Sequence, residues 1–352
     1  MKRRLIFASL LVVVMIALLP ACRKAAPAPA PAPAPVATPK PLPKTMTFAV
    51  MPVGSMTYVI GSIMTQNWTK YTGINVTPQP MMVGGPAFGL MSGNQLDMGI
   101  TDAHLIAGGW QGSDYQINAM KFDPGVMPFP INVMNFGNAL NFMFITLDPD
   151  IKTLEDFRGK KVYAEIPGAG TGTTVAAIFE AAGIKDDVEI LSFPVISEAQ
   201  RGLVEGKADI LWYGVAPFIA ELSQTHDVYP IPIPVDVVER AAAAHPEEAI
   251  SASVWPKGLF GNKQDVPVWS IPFGLYVHED TDPDVVYLLM QTFYANYDEM
   301  VAAHAWLTPW SLDNAISVQV APVHPGAIRY FKEQGIWTAE NEQKNQQFLA
   351  MR

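Results

Sequence analysis

Cysteine is all but missing from this sequence: 352 residues contain one, Cys22. A single thiol closes no internal disulfide, so the fold has to stand on packing alone. Positive charge is short too, with 23 Lys and Arg against 33 Asp and Glu and a formal net charge of −10. No basic stripe gathers the cations that exist, which argues against nucleic acid as a partner. After the first 21 residues, no run approaches the roughly 18 uncharged apolar residues of a membrane span, and a soluble body is predicted. Catalytic constellations are missing as well. The six histidines, at 104, 226, 245, 278, 304 and 324, fall singly and without metal-ligand spacing. No G-x-S-x-G elbow and no thiol in the body supplies a nucleophile. The loop "GAGTGTT" (168–174) lacks the Gly-Lys-Ser/Thr of a phosphate loop and the third glycine of a dinucleotide loop. His324, in "HPGAIRY", opens a C-terminal helix and reads as a cap or a packing residue. Catalysis, a metal and a cofactor are all not expected.

What is present begins at the N-terminus. Lys2, Arg3 and Arg4 precede an apolar run from Leu5 to Leu19, and "LPAC" follows, ending at Cys22. A basic segment, a short apolar segment and a small residue before the cut predict a signal peptide over 1–21. "LPAC" resembles the bacterial lipobox, which implies cleavage before Cys22 and lipidation of its thiol. The other reading is an ordinary signal peptide with an incidental cysteine. Losing Lys2, Arg3 and Arg4 takes the formal charge from −10 to −13. Residues 22–44 then read as the lipidated Cys and a linker. Alternating prolines in "AAPAPAPAPAPVATPKPLPK" (25–44) remove N–H donors and fix φ, so an extended spacer on the order of 60 Å is predicted.

The body repeats one plan. "FAVMPVGSMTYVIGSIMTQNWTKYTG" (48–73) is a β-rich run, a turn and an amphipathic helix stopped by Gly73; "KVYAEIPGAGTGTTVAAIFEAAG" (161–183) is the same, stopped by Gly183. Each unit continues into a strand ("INVTPQPM"; "VEILSFPV"), a helix, and a turn with two or three residues between Gly and Asp that leads into another strand ("SGNQLDMGI"; "EGKADILWYG"). Alternating strands and helices predict parallel α/β sheets, one per lobe, with a ligand beyond the C-terminal strand ends. "ALNFMFITLD" (139–148) and "VPVWSIPFGLYVHED" (266–280) read as crossovers between lobes. Lobe I is then 45–143 with 272–352, and lobe II is 144–271. A helix over 282–304 is expected, with Asp282 as N-cap and Pro283 in its first turn. The layout is that of a hinged, two-lobed binding protein.

The order and spacing of "GSMTYVIG", "MSGNQLDMGITDA", "LEDFRGKKVYAEIPGAGTGTT", "GLVEGKADILWYGVAP", "DVPVWSIPFGLYV" and "VHPGAIRYFKEQGI" carry a family resemblance over essentially the whole body. It resembles the TAXI-type solute-binding proteins of tripartite ATP-independent periplasmic (TRAP) transporters. That resemblance implies a periplasmic-binding-protein fold (Venus flytrap, type II-like) with hinge strands between the lobes. It also implies an extracytoplasmic receptor that captures a small organic anion and delivers it to TRAP membrane subunits. A monomer, held to the membrane through Cys22, is expected. The first loop, "MPVGSM", has fewer glycines than the family's, and Pro86 in "GGPAF" replaces its usual hydroxyl, so the solutes of relatives are not carried over. An ABC-importer receptor, a sensor for a membrane signalling partner and, more remotely, a secreted hydrolase are the alternatives.

Candidate ligand contacts follow from the strand ends. Gly170, Thr171, Gly172 and Thr173 lie between a strand and a helix, where free N–H groups and the positive helix end converge on one point. They read as a nest for a carboxylate; a plain N-cap with close-packing glycines is the blander reading. Gly54, Ser55, Met56 and Tyr58 form the mirrored loop, Tyr58 being alternatively a core aromatic. Gly84, in "GGPAF", joins them. Thr101 ends a strand at the cleft, whereas Asp102 would repel an anion and reads as the cap of the following helix. Trp212, Tyr213 and Gly214 end the equivalent strand, their aromatics either walling the ligand or packing between lobes. Met81, Met82, Phe88, Phe136, Asn138 and Phe142 read singly as core or hinge packing. Only Arg201 and Arg240 are free to reach the cleft, so the solute is expected to be a carboxylate with an apolar part, held by neutral donors.

Overall fold

The computed structural model describes residues 41–53, 55–111, 129–166 and 171–351. The signal peptide, Cys22 and the linker through residue 40 lie outside the described residues. β1 (Thr45–Val50) buries Met46, Phe48, Ala49 and Val50. Ser55, extended at φ −80° and ψ 156°, accepts a hydrogen bond from the Tyr58 N–H and caps α1 (Met56–Thr72). Gly73, at φ 76°, ends that helix in the left-handed conformation that a side chain disfavours. β2 (Asn75–Pro80), α2 (Gly85–Ser92), β3 (Met98–Asp102) and α3 (Ala103–Gln111) complete the first unit. The long β4 (Ile131–Thr146) leads into the second: β5 (Lys161–Glu165), α4 (Thr171–Ala182), β6 (Glu189–Ser192), α5 (Ile196–Val204), β7 (Ile210–Gly214) and α6 (Phe218–Leu222).

The two turns, Gly93–Asp97 and Gly206–Asp209, have one physical job. The Asp97 carboxylate accepts hydrogen bonds from the N–H and hydroxyl of Thr47 at 2.7 and 2.8 Å. Asp209 accepts from the Lys161 N–H at 2.8 Å. Each aspartate thus pins the third strand of its unit to the start of the first.

After β8 (Tyr229–Ile231), α7 (Val235–Ala244) and β9 (Ser251–Trp255), the chain returns through β10 (Val266–His278). It closes with α8 (Pro283–Ala295), α9 (Tyr297–Ala303), α10 (Pro325–Glu333) and α11 (Ala339–Leu349). Asp282 caps α8 by accepting from the Asp284 N–H, with Pro283 in the first turn. The single helix expected over 282–304 is two, because Asn296 at φ −117° and ψ 20° leaves helical geometry between them. His324 is the cap of α10: Nδ1 accepts from the Gly326 N–H at 3.2 Å and Nε2 donates to the Thr281 carbonyl at 2.9 Å. Burial holds this ring down to about 4, so it is neutral.

The two separate sheets expected from the sequence are one. A ten-stranded sheet runs β2-β1-β3-β10-β4-β7-β5-β6, with β8 on β4 and β9 on β10. Its ends mirror each other, since β2-β1-β3 and β6-β5-β7 are both parallel trios with the first strand in the middle. The joining pair β10 and β4 are antiparallel, from Trp269 opposite Phe142 to His278 opposite Ile131. β10 pairs with β9 through residues 266–270 and with β3 through 273–277, while β4 offers 142–146 to β7. Register shifts between Pro272 and Gly274, and between Leu275 and Tyr276, mark where the ladder changes hands. One apolar core runs through both units, from Phe48 and Trp68 to Phe144, Phe157 and Phe179. Leu42–Arg352 is one compact unit. Among the described residues, no helix is long and apolar enough to cross a membrane.

Candidate functional site

The C-terminal ends of β1, β3, β5 and β7 converge where β4 and β10 cross between the units, and a cavity of about 70 Å³ lies there. Room for one water takes roughly 10–15 Å³ on this measure, so the space holds on the order of five waters, or one small organic molecule. The first unit contributes Met51, Ser55, Met56 and Thr57 from the loop and start of α1, Val83, and Asp102 and Leu105 from the end of β3 and α3. The second contributes Ile166 after β5 and the run from Trp212 to Ala216. Leu140 and Phe142 of β4 and Phe273 of β10 complete the lining. A cavity of about 50 Å³ adjoins it through Met51, Ser55, Ile166 and Tyr213, and one of about 340 Å³ through Met56, Leu140, Val215 and Phe273.

Polar groups are few and specific. Ser55 Oγ accepts from the Tyr58 N–H at 3.1 Å and Thr57 Oγ1 from the Met51 N–H at 3.3 Å. The two hydroxyls also share one hydrogen bond of 3.3 Å, which uses one of their two protons and leaves the other to donate. Burial pushes the Tyr213 phenol up to about 12, so it too is a neutral donor. Asp102, 7% exposed, has no hydrogen-bond partner at Oδ1. Burial raises its carboxyl to about 6; His104 opposes that rise and Glu248 adds to it. The aromatic wall is packed in advance: Phe142 and Trp212 stack at 5.1 Å and 4°, and Trp269 stacks on both at 6.1 and 6.4 Å. At Gly214, a Cβ would come within 2.9 Å of the end of the Leu140 side chain, so a larger residue there would displace Leu140 in the lining.

Of the residues expected at the site, Ser55, Met56, Trp212, Tyr213 and Gly214 line the cavity. Gly54 and Gly170 lie outside the described residues, and Thr171 is described only as the first residue of α4. Tyr58 is half-buried against the core, its N–H held by Ser55. Gly84 is buried and precedes α2, where its carbonyl accepts from Phe88, beside the lining residue Val83. Thr101 is fully buried with an unpartnered hydroxyl, next to Asp102. Gly172 and Thr173 are half-buried in the first turn of α4. Met82 and Phe142, expected to be packing residues, line the cavities, and Phe142 does both. The arginines left open by the sequence are exposed elsewhere: Arg201 lies 4.0 Å from Glu205, and Arg240 binds Asp236 at 2.5 Å. Among the described residues, no lysine or arginine lines the cavity. The described residues contain no group of His, Cys, Asp or Glu able to hold a metal.

Comparison with known proteins agrees with this architecture. The chain matches the NMT1-like family over residues 48–335. The periplasmic binding protein BugD is similar with a TM-score of 0.51 at 13% identity, over 87% of this chain and 97% of that one. MatC (Rpa3494) from Rhodopseudomonas palustris, solved with bound malate, gives 0.50 at 14% identity, over 88% and 99% of the two chains. At such identities the likeness is one of fold, and the fold is the two-lobed, type II-like α/β fold of periplasmic binding proteins.

Proposed function

Because the chain belongs to the NMT1-like family, we propose that it is an extracytoplasmic substrate-binding protein, without enzymatic activity of its own, that captures a small organic acid in the cavity where the two units meet. The carrying observation is the chemistry of that cavity. Neutral donors from Ser55, Thr57 and Tyr213 stand beside an apolar wall of Met51, Met56, Phe142 and Trp212, with no arginine or lysine among the described lining residues. Such a wall favours a carboxylate with an apolar part, since apolar contact at about 25 cal/mol per Å² supplies affinity while neutral donors orient the head group. The fold likeness to a protein holding malate is in keeping with a carboxylate solute. Closure of lobe I (45–143 and 272–352) on lobe II (144–271) is the motion that capture favours, through contacts made only when both lobes touch the solute. In this reading Cys22 carries the lipid anchor, the Pro/Ala-rich segment is its spacer, and the loaded monomer docks on the membrane subunits of a TRAP transporter.

The test is a thermal-shift screen of the purified protein against monocarboxylates with hydrophobic bodies, dicarboxylates and amino acids. A solute at 100 times its dissociation constant adds about 2.7 kcal/mol to unfolding, which is readily seen. Monocarboxylates are expected to rank first. A fully hydrophilic dianion ranking first would remove the apolar-solute reading, and turnover of any compound would remove the binding-protein reading. A permease encoded beside this chain together with an ATPase would move the partner from a TRAP transporter to an ABC importer.

A further inference from the structure

A pocket proposed to hold an anion contains a carboxylate of its own. Among the described residues lining the cavity, Asp102 alone has a side chain ionised at ordinary pH. It ends β3 opposite Phe273 of β10, it is more than nine-tenths buried, and its Oδ1 has no hydrogen-bond partner. The titratable groups around it are His104 on α3, Glu248 on the 3₁₀ turn Pro246–Glu248, and Tyr213 of β7 in the same lining. His104 is buried with neither ring nitrogen partnered. Glu248 is fully buried; its Oε2 accepts from the Thr174 hydroxyl at 2.7 Å and its Oε1 has no partner. Polar groups left this incomplete cost free energy, and of these three residues only Asp102 lines the cavity, where a ligand can reach it.

Resting on the carboxylate reading above, we propose that Asp102 contacts the solute as one half of an acid pair, a single proton being shared between its carboxyl and that of the solute. Two ionised carboxylates in contact repel, and among the described residues of the lining no cation offsets them. One shared proton turns that repulsion into a short, charge-assisted hydrogen bond and leaves a net charge of about −1. The free hydroxyl proton of the Ser55–Thr57 pair and the Tyr213 phenol are the donors for that charge. The proton comes from solvent, so capture of an ionised acid by protein with ionised Asp102 takes up one proton, and release returns it. Asp102, which the sequence suggests would repel an anion, becomes the residue that selects for a group able to share a proton. A permanently charged anion such as a sulfonate is excluded by the same logic.

The test uses purified full-length protein, titrated calorimetrically with phenylacetate, hexanoate and 4-methyl-2-oxopentanoate between pH 5 and 8, in buffers of differing ionisation heat. Affinity is expected to fall about tenfold per pH unit above pH 6, with uptake approaching one proton per acid bound at pH 7.5. Asp102→Asn, neutral and of similar shape, is expected to bind these acids with no pH slope and no proton uptake. Asp102→Leu, which offers no polar group, is expected to lose at least tenfold in affinity at pH 5, with circular dichroism confirming that both variants are folded. An acid that binds the wild type with neither proton uptake nor pH slope overturns the acid pair while leaving the proposed function in place. Amines that bind more tightly as pH rises through 6, and that Asp102→Asn loses, overturn it in favour of an ionic contact. If none of the three acids binds at any pH, the carboxylate reading fails and the acid pair falls with it.

Discussion

Replacing Asp102 by asparagine is expected to stabilise the empty protein, by an amount that depends on pH. Burial lifts this carboxyl from an ordinary 3.8 to about 6, against the pull of His104 and with a contribution from Glu248. An acid raised in the folded state favours folding only where it is protonated. Its contribution is fully present below about pH 3.8 and is lost as pH climbs through 6. At about 1.4 kcal/mol per pH unit, the wild type is therefore less stable by about 3 kcal/mol at neutral pH than an uncharged Asp102 would leave it. Asparagine keeps the shape and has no charge to desolvate, so its advantage should grow from about zero at pH 4 to about 3 kcal/mol at pH 7. Unfolding the unit Leu42–Arg352, at about 2.1 cal/mol/K per residue, carries an entropy of about 0.65 kcal/mol/K, which converts the gain into about 5 °C in Tm. Only the difference between variant and wild type isolates the effect, because His324 titrates in the same window with the opposite slope. Its ring is held down to about 4, so the stability it contributes is lost as pH falls from 6.5. Scanning calorimetry on both proteins at pH 4, 5, 6 and 7 supplies the comparison. A Tm difference that stays flat with pH, or that shrinks toward neutrality, refutes the idea that Asp102 is an uncompensated buried charge.

Three further substitutions probe the surroundings of the cavity. Thr174→Val removes the hydroxyl that satisfies Glu248 at 2.7 Å and leaves a buried carboxyl with no partner, so urea unfolding should show a loss of about 1–3 kcal/mol. Ser55→Ala removes the cap of α1 and its contact with Thr57, which should cost about 1 kcal/mol of stability, together with a loss of affinity for whichever acid the thermal-shift screen identifies. Trp212→Ala deletes a ring stacked on both Phe142 and Trp269, and about 3–5 kcal/mol should be lost in denaturant unfolding, with affinity for aromatic acids falling more than for short ones.

Local chemistry made much of the fold readable. Gly73 and Gly183 end helices because a left-handed residue is needed there, and Asp282 with Pro283 starts one because a carboxylate and a donor-free residue suit a first turn. The repeat of Asp97 and Asp209 was visible as spacing, although its purpose, a hydrogen bond to Thr47 and Lys161, is a contact across the sheet. Pairing is non-local, and so the continuity of one sheet through β4 and β10 escaped the sequence. The break at Asn296 escaped it as well, since the apolar pattern runs on through both helices. At the site, Ser55, Met56 and Trp212 to Gly214 were legible because strand ends in α/β sheets face ligands. Leu140, Phe142 and Phe273 were not, for they sit on the crossing strands, where a register shift decides which face each side chain takes. The burial of Asp102 was not legible, because its environment is made by Glu248 and His104, whose burial around it has no signature in the string of letters.

The repeated plan of the two units explains the frame of the cavity, and the differences between them explain its chemistry. The first unit brings the hydroxyls of Ser55 and Thr57 and the carboxyl of Asp102, while the second brings Trp212 and Tyr213, the latter with one phenol. Leu140, Phe142 and Phe273, from the two joining strands, lie between them and are apolar. Met51, Met56, Val83 and Leu105 make the rest of the first unit's side apolar, so a bound molecule touching both units finds a carboxyl and paired hydroxyls on the first side and a single phenol on the second. The aromatic side is stacked and rigid without any solute, so it needs no reordering on binding, whereas Asp102 and the Ser55–Thr57 pair retain unused hydrogen-bonding capacity. On the proposed function, most of the affinity gained on closure should then come from apolar contact with the wall of Met51, Met56, Phe142 and Trp212, and most of the discrimination between head groups from Asp102 and the start of α1. Elongating the apolar end of an acid should change its dissociation constant at every pH alike, while exchanging its carboxyl for a sulfonate should abolish binding to the wild type and restore part of it in Asp102→Asn.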